Sequence, residues 1–251
     1  VPHAGLQGRR VLVVGASSGI GRALALAAGA AGARVAMAAR RLDLVEEAAD
    51  HIRASGGEAR AWRCDVTDEA ERARMVAEAA GWLGGIEVLL YMSGSSPLVR
   101  VEDATAELWH TMLATNLIGA SLVVRDALAH LRAASDPVVV VTTHSMGEPW
   151  PWLGVYGATK AALAELAKAL RAEEPGLRVL CVAVGNTLTS FADGWDPEVA
   201  GRAFEAWAAR GRLRYQVLEA GEMAGAILDA VLDRAGPDDL LIAGEEVPPG
   251  P

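Results

Sequence analysis

Tyr156 and Lys160 stand four residues apart in Tyr156-Gly157-Ala158-Thr159-Lys160, a spacing that on a helix brings both side chains to one face about a turn from each other. A free tyrosine has a pKa near ~10 and exchanges protons poorly at neutral pH, but an ammonium a few ångströms away favours the phenolate and draws that value down. The pair therefore predicts a phenol able to give and take a proton. Alone, such a pair recurs by chance in many helices. Its weight comes from the other end of the chain, where Val11–Val14 runs into Gly15-Ala16-Ser17-Ser18-Gly19-Ile20-Gly21-Arg22 and then into an Ala-rich segment. Strand, glycine turn and helix in that order make a phosphate cradle. Gly15 permits a sharp turn, Gly19 lets the backbone approach a pyrophosphate, Gly21 lets the helix pack on the strand, and the helix N-terminus offers free N–H groups. Ser17, Ser18 and Ile20 lie within that turn.

The second predicted strand ends in Ala39-Arg40-Arg41. An acid at this point would bind a ribose 2′-hydroxyl and repel a 2′-phosphate. No carboxylate stands there, and Arg40 can pair with a phosphate through two parallel hydrogen bonds, so the reading is NADP(H) rather than NAD, with Ser17 adding a hydroxyl. The spacing Gly15-x-x-x-Gly19-x-Gly21, together with Tyr156-x-x-x-Lys160, resembles the short-chain dehydrogenase/reductase family over essentially residues 8–244. That resemblance implies hydride transfer between a nicotinamide and a carbonyl carbon, with Tyr156 exchanging the proton at the oxygen and Lys160 also holding the nicotinamide ribose. It implies further that Asn116 supports a water relaying protons to the lysine. Asp65 and Val66, which end and follow the third strand, would meet the adenine, although Asp65 could equally cap the next helix. Gly94, Gly185 and Thr189 match cofactor contacts of the family.

The family's substrate-binding serine lies thirteen residues before the tyrosine. Here that position holds Thr143, while a serine occurs only at Ser145. Thr143 ranks first, because its hydroxyl can make the same hydrogen bond, and Ser145 second. His144, between them, is expected to point away from both on an extended segment and to serve as a surface or packing residue. Other departures are Val14 before the first glycine, Tyr91-Met92-Ser93-Gly94 after the fourth strand and Val184-Gly185 after the sixth.

Around these motifs, short β-rich runs at 10–14, 34–39, 59–64, 88–92, 138–142, 178–183 and 240–243 alternate with Ala-rich helical stretches at 21–31, 42–54, 69–82, 106–131, 157–173 and 221–232. The expected fold is α/β, a Rossmann-type doubly wound parallel sheet of about seven strands with helices on both faces, in one domain spanning residues 1–251. Residues 187–214 break the rhythm and read as a helical substrate-lid insertion. The composition, 52% apolar with only 5% aromatic, suits close helix-to-sheet packing. A net charge of −9 argues against a nucleic-acid partner. Cys64 and Cys181 lie in apolar, strand-like runs, where a disulfide is not expected, and no metal site is assigned. No apolar stretch free of charge reaches bilayer length and the start lacks signal-peptide features, so a cytoplasmic, membrane-free protein is expected.

Four of the seven tryptophans, Trp150, Trp152, Trp195 and Trp207, border the expected substrate position, which suggests an apolar, cyclic or aromatic carbonyl compound. The family resemblance implies a homodimer or homotetramer. The main alternative is a dinucleotide-binding regulator that has lost turnover; lyase or dehalogenase chemistry on the same fold is disfavoured by the intact glycine turn.

Overall fold

The structure is a computed structural model that describes residues 3–144 and 150–246. Seven strands form one parallel sheet: β1 Arg10–Val14, β2 Arg34–Ala39, β3 Glu58–Arg63, β4 Val88–Tyr91, β5 Val138–Thr143, β6 Arg178–Val184 and, last in the chain, β9 Asp239–Ile242, in the spatial order β3-β2-β1-β4-β5-β6-β9. A two-residue ribbon, β7 Thr187–Leu188 with β8 Leu218–Glu219, lies apart from it. The helices are α1 Gly19–Ala30, α2 Leu42–Ala54, α3 Glu69–Leu83, α4 Ala106–Leu113, α5 Gly119–Arg132, α6 Gly154–Glu173, α7 Pro197–Ala208 and α8 Ala220–Leu232.

The inner strands β1, β2, β4, β5 and β6 are apolar along nearly their whole length because both faces are covered, whereas the edge strands β3 and β9 keep exposed residues such as Glu58, Arg60 and Asp239. Val11, Val13, Val35, Met37, Val138 and Val140 pack under α1, α2 and α8, whereas Leu12, Val14, Ala36, Ala38, Val139 and Val141 pack under α3, α5 and α6. With side chains alternating along each strand, adjacent residues feed opposite cores. The chain builds outward from β1 to β3, then returns to pair β4 on the other side of β1. This reversal opens a crevice at the carboxyl ends of β1 and β4, where doubly wound sheets hold their ligands.

Two expectations change. The helix expected over 106–131 is interrupted by a wider, π-type turn at Ala114–Ile118, which holds Asn116. The α4–α5 run Ala106–Arg132 is also long and apolar enough to span a bilayer by length and composition, contrary to the sequence expectation. Its apolar face, including Val123, Ala127 and Leu131, is packed in the core, and a core helix meets the same criterion.

Candidate active site

Helix α6 begins after Leu153, three residues earlier than the periodicity suggests, so that Tyr156 and Lys160 both lie on it. Trp152, just before it, turns the chain with a left-handed φ of 65°, and its carbonyl accepts from Val99 N at 2.9 Å. Lys160 is only 2% exposed. Its Nζ donates to Thr142 O at 2.9 Å and to Thr142 Oγ1 at 3.2 Å, and sits 5.7 Å from the centre of the Tyr156 ring. Burial pushes the lysine down to about 8. The expectation of an acidified phenol is reversed: burial holds the Tyr156 pKa above its ordinary value. A phenolate would lose its hydration here, while the ammonium that should offset that loss is turned toward Thr142.

The lysine shift carries a pH dependence. A lysine whose pKa is lower folded than unfolded leaves the unfolded chain holding more protons between about pH 8 and the ordinary 10.5, so its contribution to stability rises with pH across that window. Below it, the full cost of burying the charge is present. Urea unfolding of the parent and of Lys160→Met is expected to show parent stability rising relative to the variant by up to ~1.4 kcal/mol per pH unit from pH 8 to 10; parallel curves would remove the buried charge from the account.

Asn116 is fully buried in the widened turn. Its Oδ1 accepts from Ser95 N at 3.1 Å, and its Nδ2 donates to Ser95 O at 3.1 Å and Thr159 Oγ1 at 3.2 Å. Thr159 in turn donates to Tyr156 O at 2.8 Å, tying the turn to the first turn of α6. Gly94 completes the corner: a Cβ there would lie 3.4 Å from Asn116 Oδ1 and 3.5 Å from Lys160 Nζ. The widened turn rests on Tyr91, whose buried hydroxyl donates to Thr115 O at 2.7 Å. Tyr91→Phe would leave that carbonyl without its partner, and a loss of about 1–3 kcal/mol is expected in urea unfolding; unchanged stability would show that the hydroxyl does not hold the turn.

At the end of β5, Thr143 is buried and donates its hydroxyl to Lys160 O at 3.1 Å. Ser145 lies outside the described residues. Of the two roles expected for His144, surface or packing, the structure shows packing. Its ring meets Tyr156 edge to face at 5.4 Å between centres and Trp150 at 5.5 Å, and burial, then the charge of Lys160, lowers its pKa to about 4. Beyond it the aromatic contacts continue through Phe191, 5.4 Å from Tyr156, to Trp195, Phe204 and Trp207. Trp195 Nε1 donates to Ser96 O at 2.6 Å and Trp207 Nε1 to Pro151 O at 2.8 Å, so both indoles are anchored. Of these contacts, the Phe191 and His144 rings against Tyr156 are not legible in the sequence.

The glycine turn fits a dinucleotide. Gly15 (φ 94°) passes so close to the β4 end that a Cβ would meet Ser93 N at 2.6 Å; a Cβ on Gly21 would meet Gly15 O at 2.2 Å, and one on Gly19 (φ 53°) would meet Thr189 at 3.1 Å. Ile20 is in the first turn of α1, whose N-cap, Ser18, makes no side-chain cap, leaving the first N–H groups for an anion. The Ser18 hydroxyl instead engages Ser190 Oγ at 2.8 Å and Arg41 Nη2 at 2.8 Å. Arg41, rather than Arg40, therefore reaches the turn, and also holds Ser17 Oγ at 3.0 Å. Asp65 accepts from Thr67 N and Oγ1; desolvation works against its charge, but these bonds and then the charges of Arg40 and Arg63 outweigh it and lower its pKa. The cap of α3 is Asp68, not Asp65. Val66 packs against Gly119, where a Cβ would come within 2.8 Å. Gly185 lets β6 approach β9, its N bonded to Ile242 O at 2.8 Å, and Thr189 caps the turn Ser190–Ala192 beside Gly19.

Comparison with known proteins points the same way. The glycine betaine reductase ATRR of Emericella nidulans is 33% identical over 198 residues, which is 76% of this chain but only 15% of that protein. Tropinone reductase-like 3 of Erythroxylum coca is 31% identical over 193 residues, 74% of this chain and 73% of its own length. A short chain dehydrogenase from Burkholderia cenocepacia, solved in complex with NADP, superposes with a TM-score of 0.81 at 27% identity, covering 95% of this chain and 98% of that one. The profile of the family described as short chain dehydrogenase matches residues 9–200, from the first strand past both the glycine turn and the Tyr156–Lys160 pair. The chain thus belongs to the short chain dehydrogenase family, oxidoreductases that bind a nicotinamide dinucleotide.

Proposed function

We propose that the protein is an NADP(H)-dependent oxidoreductase that interconverts a carbonyl and an alcohol on an apolar or cyclic substrate, with Tyr156 as the proton donor and acceptor. The observation that carries this reading is the shared corner of Tyr156, Lys160, Asn116 and Gly94, beside the crevice at the carboxyl ends of β1 and β4. Bound dinucleotide supplies or accepts the hydride. The chain's own residues do the rest. Gly15, Ser17, Ser18, Gly19, Ile20 and Gly21 hold the phosphates at the start of α1; Arg40 and Arg41 favour a 2′-phosphate; Asp65 and Val66 take the adenine end; Gly94, Gly185, Thr189 and Lys160 take the nicotinamide end. A phenol kept protonated by burial is the form that reduction needs, since its hydroxyl must give a proton to the carbonyl oxygen. Lys160, pinned by Thr142 beside the phenol ring, takes the nicotinamide ribose hydroxyls.

The aromatic rings at Trp150, Phe191, Trp195 and Trp207 support an apolar substrate, because they offer area rather than hydrogen bonds once both anchored indoles are satisfied. The segment 187–214 acts as a lid in this reading, joined to the glycine turn through Ser190 and Ser18. A homodimer or homotetramer is supported by the partly exposed apolar side chains Ile118 and Leu166 near α5 and on α6. Purified protein mixed with NADPH and a panel of cyclic and aromatic ketones is expected to consume NADPH, followed by its absorbance. NADPH binding without any turnover would support the regulator instead.

A further inference from the structure

We infer that His144 donates a hydrogen bond to the substrate's oxygen beside Tyr156, in the role for which sequence reasoning offers Thr143 or Ser145; this rests on the carbonyl–alcohol reading above. Both hydroxyls of β5 are engaged with Lys160, and that of Thr143, first in line for the serine's part, has its proton bound there. Thr143 gives its proton to Lys160 O and Thr142 Oγ1 receives one from Lys160 Nζ. The imidazole of His144 is different: its Nε2 is buried and has no hydrogen-bond partner among the described residues. A buried ring nitrogen that no described residue partners carries a desolvation cost, and a ligand oxygen placed against it would offset that cost.

Placement and protonation suit the task. The His144 ring packs against the ring that carries the exchanging hydroxyl. The next residue of α6 is Gly157, where a Cβ would lie in ordinary contact, 3.9 Å, with His144 Cδ2, the atom bonded to Nε2, so this edge of the imidazole faces the start of α6. Burial and the nearby charge of Lys160 keep the ring neutral at physiological pH. A neutral imidazole has one N–H and one free nitrogen, and can donate to a carbonyl oxygen as reduction begins without surrendering its proton. The transferred proton remains that of Tyr156. His144 steadies the oxygen while charge builds on it.

The test uses the full chain with NADPH and whichever ketone of the panel turns over fastest. His144→Phe keeps an aromatic ring against Tyr156 and Trp150 but removes the donor; kcat/KM is expected to fall about 30-fold, mostly in kcat, with NADPH affinity within twofold of the parent. His144→Gln places an amide N–H near the Nε2 position and is expected to recover to within about fivefold of the parent. Parental activity in His144→Phe, or equal losses in both variants, would overturn the inference while leaving the carbonyl–alcohol reading in place. No turnover by the parent would instead defeat that reading, and the inference with it. Should His144→Phe fail to bind NADPH, the parent decides: on adding the same ketone to its NADP⁺ complex, the Nε2 resonance of ¹⁵N-labelled His144 must move, and an unmoved resonance overturns the inference.

Discussion

Tyr156→Phe is expected to lower ketone-dependent NADPH oxidation by about 10³-fold or more in kcat while leaving NADPH affinity within a factor of two. General acid catalysis by a positioned group is worth roughly 10²–10⁴-fold, and a factor of 10³ is about 4 kcal/mol of barrier. The upper part of that range is apt on the proposed function, which gives the carbonyl oxygen its proton from this hydroxyl alone, and burial keeps it a donor well past neutrality. The phenyl ring of the variant retains the contacts with His144 and Phe191, so the pocket's shape survives the change. NADPH affinity is spared because the glycine turn and the arginines lie outside the edited ring. Stopped-flow absorbance for turnover and fluorescence titration for binding separate the two quantities. Turnover undiminished in the variant would take Tyr156 out of the chemistry, whereas loss of both activity and binding would point to a collapsed site.

The second large effect is expected at the other end of the crevice. Arg41→Ala should weaken NADPH about 10- to 100-fold and NADH by less than about threefold. Charge-assisted hydrogen bonds contribute roughly 1.5–3 kcal/mol each, and the Arg41 guanidinium already stands at the lip of the phosphate turn, on Ser17 and Ser18. A 2′-phosphate in this region would meet a preset cation, and NADH has no such group to lose. Arg40→Ala should do less, because Arg40 lies where its charge acts on Asp65. Calorimetric titration of both nucleotides against both variants checks the pair; equal losses for NADPH and NADH would sink the assignment of the 2′-phosphate to these arginines.

Much of the fold is legible in the sequence. The inner parallel strands stand out as apolar runs because they are buried on both faces, and a doubly covered strand has no polar side to disguise it, while the edge strands β3 and β9 keep exposed residues. The glycine turn is equally clear, since Gly15 and Gly19 occupy left-handed backbone that other residues adopt at a cost and Gly21 has no room for a side chain. The break at Ala114–Ile118 is not. Nothing in Thr115-Asn116-Leu117 departs from helical periodicity; the turn widens where Tyr91 takes the Thr115 carbonyl and the backbone of Ser95 takes the Asn116 amide, and both partners are more than twenty residues away. The choice between Arg40 and Arg41 is also hidden, because neighbouring residues at a strand end diverge by a turn geometry that composition does not record.

The sequence by itself determined that a tyrosine and a lysine share one helical face and that a phosphate-cradling turn opens the first helix, because both facts follow from local, periodic backbone geometry. Only the tertiary structure decided that burial raises the phenol's pKa where proximity to a lysine alone would lower it, and that an imidazole whose Nε2 has no partner among the described residues packs against that phenol. Solvation and ring contacts depend on what the rest of the chain brings alongside, and β5, α6 and the 187–214 segment meet only once the sheet has closed over its two cores.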